Sequence, residues 1–149
     1  GVDLSSDERD EILSVYHELD VYDDVRPGME RLHDAGYDLY VLSNGNPEML
    51  DSLVDHADIE DLIEDTISAD EIRQFKPAAD LYRHAAGRTG TPIDRIAHVA
   101  GGQFDVMGAG HAGMRTVWVN RDDSPPEPFG DGPDETVADI EAAAAKLTD

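Results

Sequence analysis

A parallel α/β sheet is the fold this sequence predicts, and three observations lead to it. Short β-branched or aromatic runs alternate with stretches whose apolar residues recur at helical spacing. Each run stops at glycine, asparagine or proline, and chemically capable residues follow the stops, where the carboxyl ends of parallel strands collect active groups. At 149 residues, one domain with a real core is expected and two are not.

Taken in order, Ser5 followed by Glu8 reads as a capping box, and Ile12, Leu13, Tyr16 and Leu19 continue a helix from 5 to 19. Pro27 suits a first helical turn, with Met29, Leu32 and Ala35 as a short apolar stripe ending at Gly36. Residues 37–44 (YDLYVLSN) read as a strand stopped by Gly45-Asn46-Pro47, and Pro47 opens a helix to about His56. Thr66 to Ser68 predict a brief strand, and Pro77 a helix to about Gly87 with Leu81, Tyr82 and Ala85 on one face. Ile93 to Ala100 reads as a strand running into Gly101-Gly102, Phe104 to Ala112 as a helix, and Arg115 to Asn120 as a last buried strand. A loop of proline, glycine and acid follows, too polar to pack, and then a helix from Glu135 to Leu147.

Composition narrows the function classes. The 34 acidic against 11 basic side chains give a formal net charge of -23, which disfavours nucleic acid and anionic membranes as partners. No apolar stretch approaches the ~20 residues that span a bilayer. The acid is spread along the chain, and only two of the basic residues are lysines, Lys76 and Lys146, a balance resembling haloarchaeal cytoplasmic proteins. Zero cysteine excludes disulfides and thiolate chemistry and fits a cytoplasmic location. No charged and apolar leader pattern follows Gly1, and a residue other than Met at the front suggests that the natural N-terminus lies elsewhere.

Three strand ends carry candidate chemistry. Ser43-Asn44-Gly45 offers a hydroxyl, a carboxamide and free backbone N–H groups beside a helix start, a natural anion site; the alternative is that Ser43 and Asn44 merely cap the Pro47 helix. Lys76, between Phe75 and Pro77, is an unusual cation for a chain that builds its surface from aspartate and arginine, and it invites an anionic neighbour. A surface pair with Asp80 is its plainer reading. Asp105 falls in a first helical turn after Gly101-Gly102, either as a simple N-terminal charge or as the partner of Lys76 across the sheet edge. The nearby glycines let a ligand approach the backbone closely.

This order of sites resembles the haloacid dehalogenase superfamily, specifically its type II (S)-2-haloacid dehalogenases. The likeness rests on VLSNGNPEML, on FKPAADLY with its spacing of six from Lys76 to Tyr82, and on the aspartate turn followed by GMRTVWVNR, and it runs from the first helix to Asn120-Arg121. The resemblance implies a Rossmann-like sheet on which an aspartate of the first strand attacks C2 of a small anionic 2-haloacid, and water hydrolyses the resulting ester. It further implies that Ser43 and Asn44 hold the substrate carboxylate or the nucleophile and that Lys76 neutralises carboxylates. Gly45 and Tyr82 would line the substrate pocket, and Asp105 would orient Lys76 or the hydrolytic water. No metal or other cofactor is expected on that reading.

Two departures accompany the likeness. Where dehalogenases offer serine and asparagine, this chain has Ala100, Gly101 and Gly102. Phosphatase relatives, the alternative enzyme class, hold Mg²⁺ with an acid four residues before the aspartate, and that position is Gly101. A catalytically inactive binding module is the remaining alternative. The nucleophile motif D-x-x-G-T occurs nowhere in the 149 residues. The expected organisation is therefore a remnant of a helical cap over 1–20 and a core over 21–149, with the first strand and most of the cap missing. The strands ending at Ser43 and Ala100 should flank a lane one strand wide, completed by an absent N-terminal segment, and a homodimer is among the assemblies this admits.

Overall fold

The computed structural model describes residues 3–15 and 19–149. Helix α1 spans Ser6–Ser14, and its capping box forms: Glu8 N donates to Ser5 Oγ at 3.3 Å and Ser5 N to Glu8 Oε2 at 2.9 Å. The expected continuation to residue 19 does not hold, because α1 ends at Ser14 and Leu19 lies in coil; Tyr16 falls outside the described residues. Ile12 and Leu13 are more than half exposed, so the stripe that predicted a packed helix faces solvent.

Helix α2 (Val25–Asp34) holds Pro27 in its first turn and buries Gly28 and Leu32, whereas Ala35 at its end is exposed. Gly28 is required by close approach: a Cβ there would lie 2.7 Å from the Ile140 backbone carbon. Strand β1 (Tyr40–Ser43) is shorter than the run that predicted it. Tyr37 lies outside the strand and its hydroxyl donates to Leu147 O at 2.6 Å. Helix α3 (Pro47–His56) starts as expected, with Asn46 Oδ1 accepting from Met49 N at 2.8 Å, and strand β2 (Asp65–Ser68) follows. Helix α4 (Ala79–Thr89) is not opened by Pro77. Pro77 sits inside a preceding turn closed by Ala78 N donating to Phe75 O at 3.0 Å, and extended Ala78 is the cap.

The apolar run 93–100 divides. Ile93–Arg95 makes a 3₁₀ turn and only Ala97–Ala100 is strand β3. Helix α5 (Gln103–Ala112) and strand β4 (Arg115–Val119) agree with the sequence to within a residue. The predicted helix 135–147 is a strand, β5 (Glu135–Val137), and then helix α6 (Ile140–Thr148), because Asp139 caps α6 through Ala142 N at 2.7 Å and leaves the β-branched pair Thr136-Val137 to the sheet. The polar loop also packs, contrary to expectation, but through hydrogen bonds. Asp134 Oδ2 accepts from Thr116 N and Oγ1 at 2.7 and 2.9 Å, and Gln103 ties down Pro125 O and Glu127 N.

All strand pairs are parallel, in two sheets: β1–β2, with Ser43 opposite Ser68, and β3–β4–β5, with Ala100 opposite Trp118. Tyr82, Ala85, Ala109 and Met114 pack with Ile67 of β2 and, at the edge of the cluster, Tyr40 and Leu42 of β1, so one apolar cluster joins the β1–β2 sheet to α4 and α5. A second layer, on β4, β5 and α6, is made of Val117, Val119, Val137 and Ala143. Asp24 binds the region together: both its oxygens accept from Arg121 at 2.8 Å, and Oδ2 also accepts from Ile140 N at 2.7 Å.

Between the two sheets lies a lane. Leu39 O accepts from Glu64 N on the β2 side, so alternation along the strand turns Tyr40 and Leu42 the other way. Ile96 O accepts from Arg115 N on the β4 side, which turns Ala97 and Val99 away from β4. Among the described residues no ladder joins the two sheets.

Candidate active site

The carboxyl ends of β1 and β3 carry Asn44 and Asp105 to the mouth of this lane, and the turn before α4 brings Lys76. Lys76 crosses it. Its Nζ donates to Leu42 O at 3.0 Å and to Asp105 Oδ2 at 2.6 Å, while its backbone N–H donates to Asn44 Oδ1 at 2.8 Å. Asp105 is the third residue of α5, whose N-cap Gly102 offers no side chain. Oδ1 of Asp105 accepts from the Tyr82 hydroxyl and from His98 Nε2, each at 2.8 Å. Lys76, Tyr82, His98 and Asp105 thus form one connected polar group, and the Lys76 and Asp105 side chains are each 17% exposed.

Its electrostatics follow from burial and hydrogen bonding. Burial pushes the Asp105 carboxyl up, but the hydrogen bonds and charges of His98 and Lys76 outweigh it and hold the group at about 2. Burial, and then the adjacent Asp105 carboxylate, hold the Tyr82 phenol well above its ordinary range. At neutral pH Tyr82 is therefore a donor and Asp105 an acceptor.

Of the residues expected at the site, Asn44, Lys76, Tyr82 and Asp105 come together directly. Ser43 shares the strand end, but its Oγ accepts from Gly45 N at 3.1 Å and does not meet Lys76. Gly45 O accepts from Ser68 Oγ at 2.7 Å, which pins the turn. Neither plainer reading holds. Asn46, not Ser43 or Asn44, caps α3, and Asp80 pairs with Arg83 at 3.1 Å while Lys76 takes Asp105. His98 was missed. The only signal for it was a polar ring inside the otherwise apolar IAHVA, which reads as an ordinary strand residue. An open cleft of about 430 Å³ is bordered by Gly101, Phe104, Trp118, Asn120 and Arg121, and none of Lys76, Tyr82, His98 and Asp105 lines it.

The donor set does not fit a magnesium site. Position 101 is glycine, the Asp105 carboxylate is taken by three side-chain donors, and among the described residues no group of three or more His, Asp or Glu is arranged to hold a metal ion.

Residues 1–113 match the family model of haloacid dehalogenase-like hydrolases. The (S)-2-haloacid dehalogenase 4A of Burkholderia cepacia is 35% identical over 80% of this chain and 52% of its own length. The (S)-2-haloacid dehalogenase of Pseudomonas sp. strain YL is 30% identical over 95% of this chain and 61% of its own. The L-2-haloacid dehalogenase of Xanthobacter autotrophicus, solved with chloropropionic acid covalently bound, superposes with a TM-score of 0.90 at 25% identity, covering 99% of this chain and 69% of that one. The chain spans between about half and three fifths of the length of these two curated relatives. A family match over most of the chain, joined to strand ends that bring Asn44, Lys76 and Asp105 together, shows that it belongs to the haloacid dehalogenase-like hydrolases.

Proposed function

We propose that this chain forms the larger part of a hydrolytic 2-haloacid dehalogenase. The observation that carries the reading is the Lys76 ammonium, set at the mouth of the lane between the ionised Asp105 carboxylate and Leu42 O. The nucleophile is an aspartate outside these residues, on a strand that fills the lane. Its carboxylate oxygen attacks C2, the new C–O bond forms as the carbon–halogen bond breaks, and halide leaves with the electron pair. Water then adds to the carbonyl carbon of the ester and the acyl C–O bond breaks, which frees the 2-hydroxy acid and restores the aspartate. One water proton ends on the product hydroxyl and the other passes to solvent.

In this reading Lys76 stabilises the negative charge of nucleophile and substrate, and Ser43 and Asn44 receive the substrate carboxylate beside the Gly45 turn. Tyr82 closes the pocket wall, and Asp105 orients Lys76 and the attacking water. Residues 1–20, with the exposed apolar side of α1, belong to a cap, and residues 21–149 to the core. The intact gene product is expected to release halide from (S)-2-chloropropionate equally well in EDTA and in Mg²⁺. Mg²⁺-dependent release of phosphate from a phosphate ester, without halide release, would point to a phosphatase instead.

The acidic surface supports a second expectation, adaptation to concentrated salt in a cytoplasm. A net charge of -23 repels itself until screening shortens the Debye length from about 10 Å at 0.1 M to about 3 Å at 1 M. The melting temperature should therefore climb through a KCl series over that range. A flat or falling series would detach the composition from salt.

A further inference from the structure

His98 is the one polar side chain among the four residues of β3, and it is 12% exposed. A ring nitrogen at that depth costs free energy unless it is hydrogen-bonded, and here its partner is Asp105 Oδ1. An ionised carboxylate only accepts, so the proton of this bond sits on His98 Nε2. Tyr82 reaches the same oxygen, but its single hydroxyl proton is divided between Oδ1 at 2.8 Å and the Asp105 backbone carbonyl at 3.0 Å. His98 is thus the undivided donor to Oδ1, which leaves Oδ2 for Lys76. The imidazole plane is itself fixed, edge-on to the Tyr82 ring with centroids 5.4 Å apart and planes at 80°.

We infer that His98 is a positioning residue: its Nε2–H fixes the rotation of the Asp105 carboxylate, and through Oδ2 the placement of the Lys76 ammonium. The inference rests on the dehalogenase reading for its kinetic consequence, but not for the hydrogen bond itself. Without the imidazole donor the carboxylate turns about its terminal torsion toward Tyr82 and the charge pair loses its register with the reacting atoms. His98 supplies from within the strand a polar partner that Ala100 at the strand end and Gly101 and Gly102 after it do not supply.

The test uses the intact gene product and (S)-2-chloropropionate. His98→Phe keeps an aromatic edge against Tyr82 and removes the donor, and it should lower kcat by about 10–100-fold while KM stays near the parent value. His98→Gln restores an N–H donor of similar reach and should recover most of kcat. Nitrogen-15 shifts of the ring in the unsubstituted protein should place the proton on Nε2, in a resonance protected from solvent exchange. An unchanged kcat in His98→Phe, a Gln variant no better than Phe, or an Nε2 that carries no proton would each overturn the inference. Should the protein turn over no haloacid, the dehalogenase reading fails by itself, and the ring resonance still decides the role of His98.

Discussion

Lys76→Met in the intact gene product should reduce halide release from (S)-2-chloropropionate by about 10²–10³-fold, the range seen when one preorganised donor is removed from a developing charge. The ammonium holds two partners at once, Leu42 O on one sheet and Asp105 Oδ2 beside the other, so its loss removes both the positive charge and the link across the lane. Lys76→Arg should not restore the rate, because a planar fork cannot converge on a carbonyl and a carboxylate oxygen as a compact ammonium does. The substitution also strips a charged donor from a carboxylate that is only 17% exposed, and about 1.5–3 kcal/mol of stability should go with it. The pH dependence has a definite sign. Asp105 is held at about 2, below the ordinary value near 3.9, so its contribution is complete above pH 4–5 and is lost as pH falls toward 2. Steady-state halide release and denaturant unfolding against pH measure both effects, and a Met variant with parental turnover would remove Lys76 from the mechanism.

The sequence made the site more legible than some of its surroundings. Asn44 and Asp105 were readable because each follows a strand end punctuated by glycine, and Lys76 because it stands beside a proline in a chain with only two lysines. The elements that misled were those whose pattern fits two structures. Thr136-Val137 and the alanines after them share one apolar stretch, and only the Asp139 cap divides strand from helix. Pro77 reads as the opening of a helix, but it lies inside the turn closed by Phe75 O and Ala78 N, and the helix starts after it. Helix α1 shows the limit of periodicity: Ser5 and Glu8 set its start from local chemistry alone, but an apolar stripe says nothing about whether anything stands opposite it. His98 was invisible for a related reason. A strand of alternating small and branched residues tolerates one ring on grounds of shape, and the ring acquires meaning only when Asp105 and Tyr82 are brought against it from two helices.

The lane between the sheets supplies the last expectation. Tyr40 and Leu42 on one edge and Ala97 and Val99 on the other turn their backbone groups toward it, and an amide or carbonyl buried without a partner costs about 1–3 kcal/mol. Lys76 satisfies one of these groups, Leu42 O, with a side chain, which leaves the remainder to water in the isolated chain. Amide exchange should then be fast at Leu42 and Val99 in the 149-residue chain and slow at Val41 and His98, whose groups face established ladders. In the intact gene product all four should be protected, because a middle strand pairs with both edges. The same strand carries the proposed nucleophile, so the isolated chain should release no halide, and Asp→Asn at that aspartate should abolish release while leaving the exchange pattern intact. Slow exchange at Leu42 and Val99 in the isolated chain would mean that the two edges already pair, with no room between them for a catalytic strand.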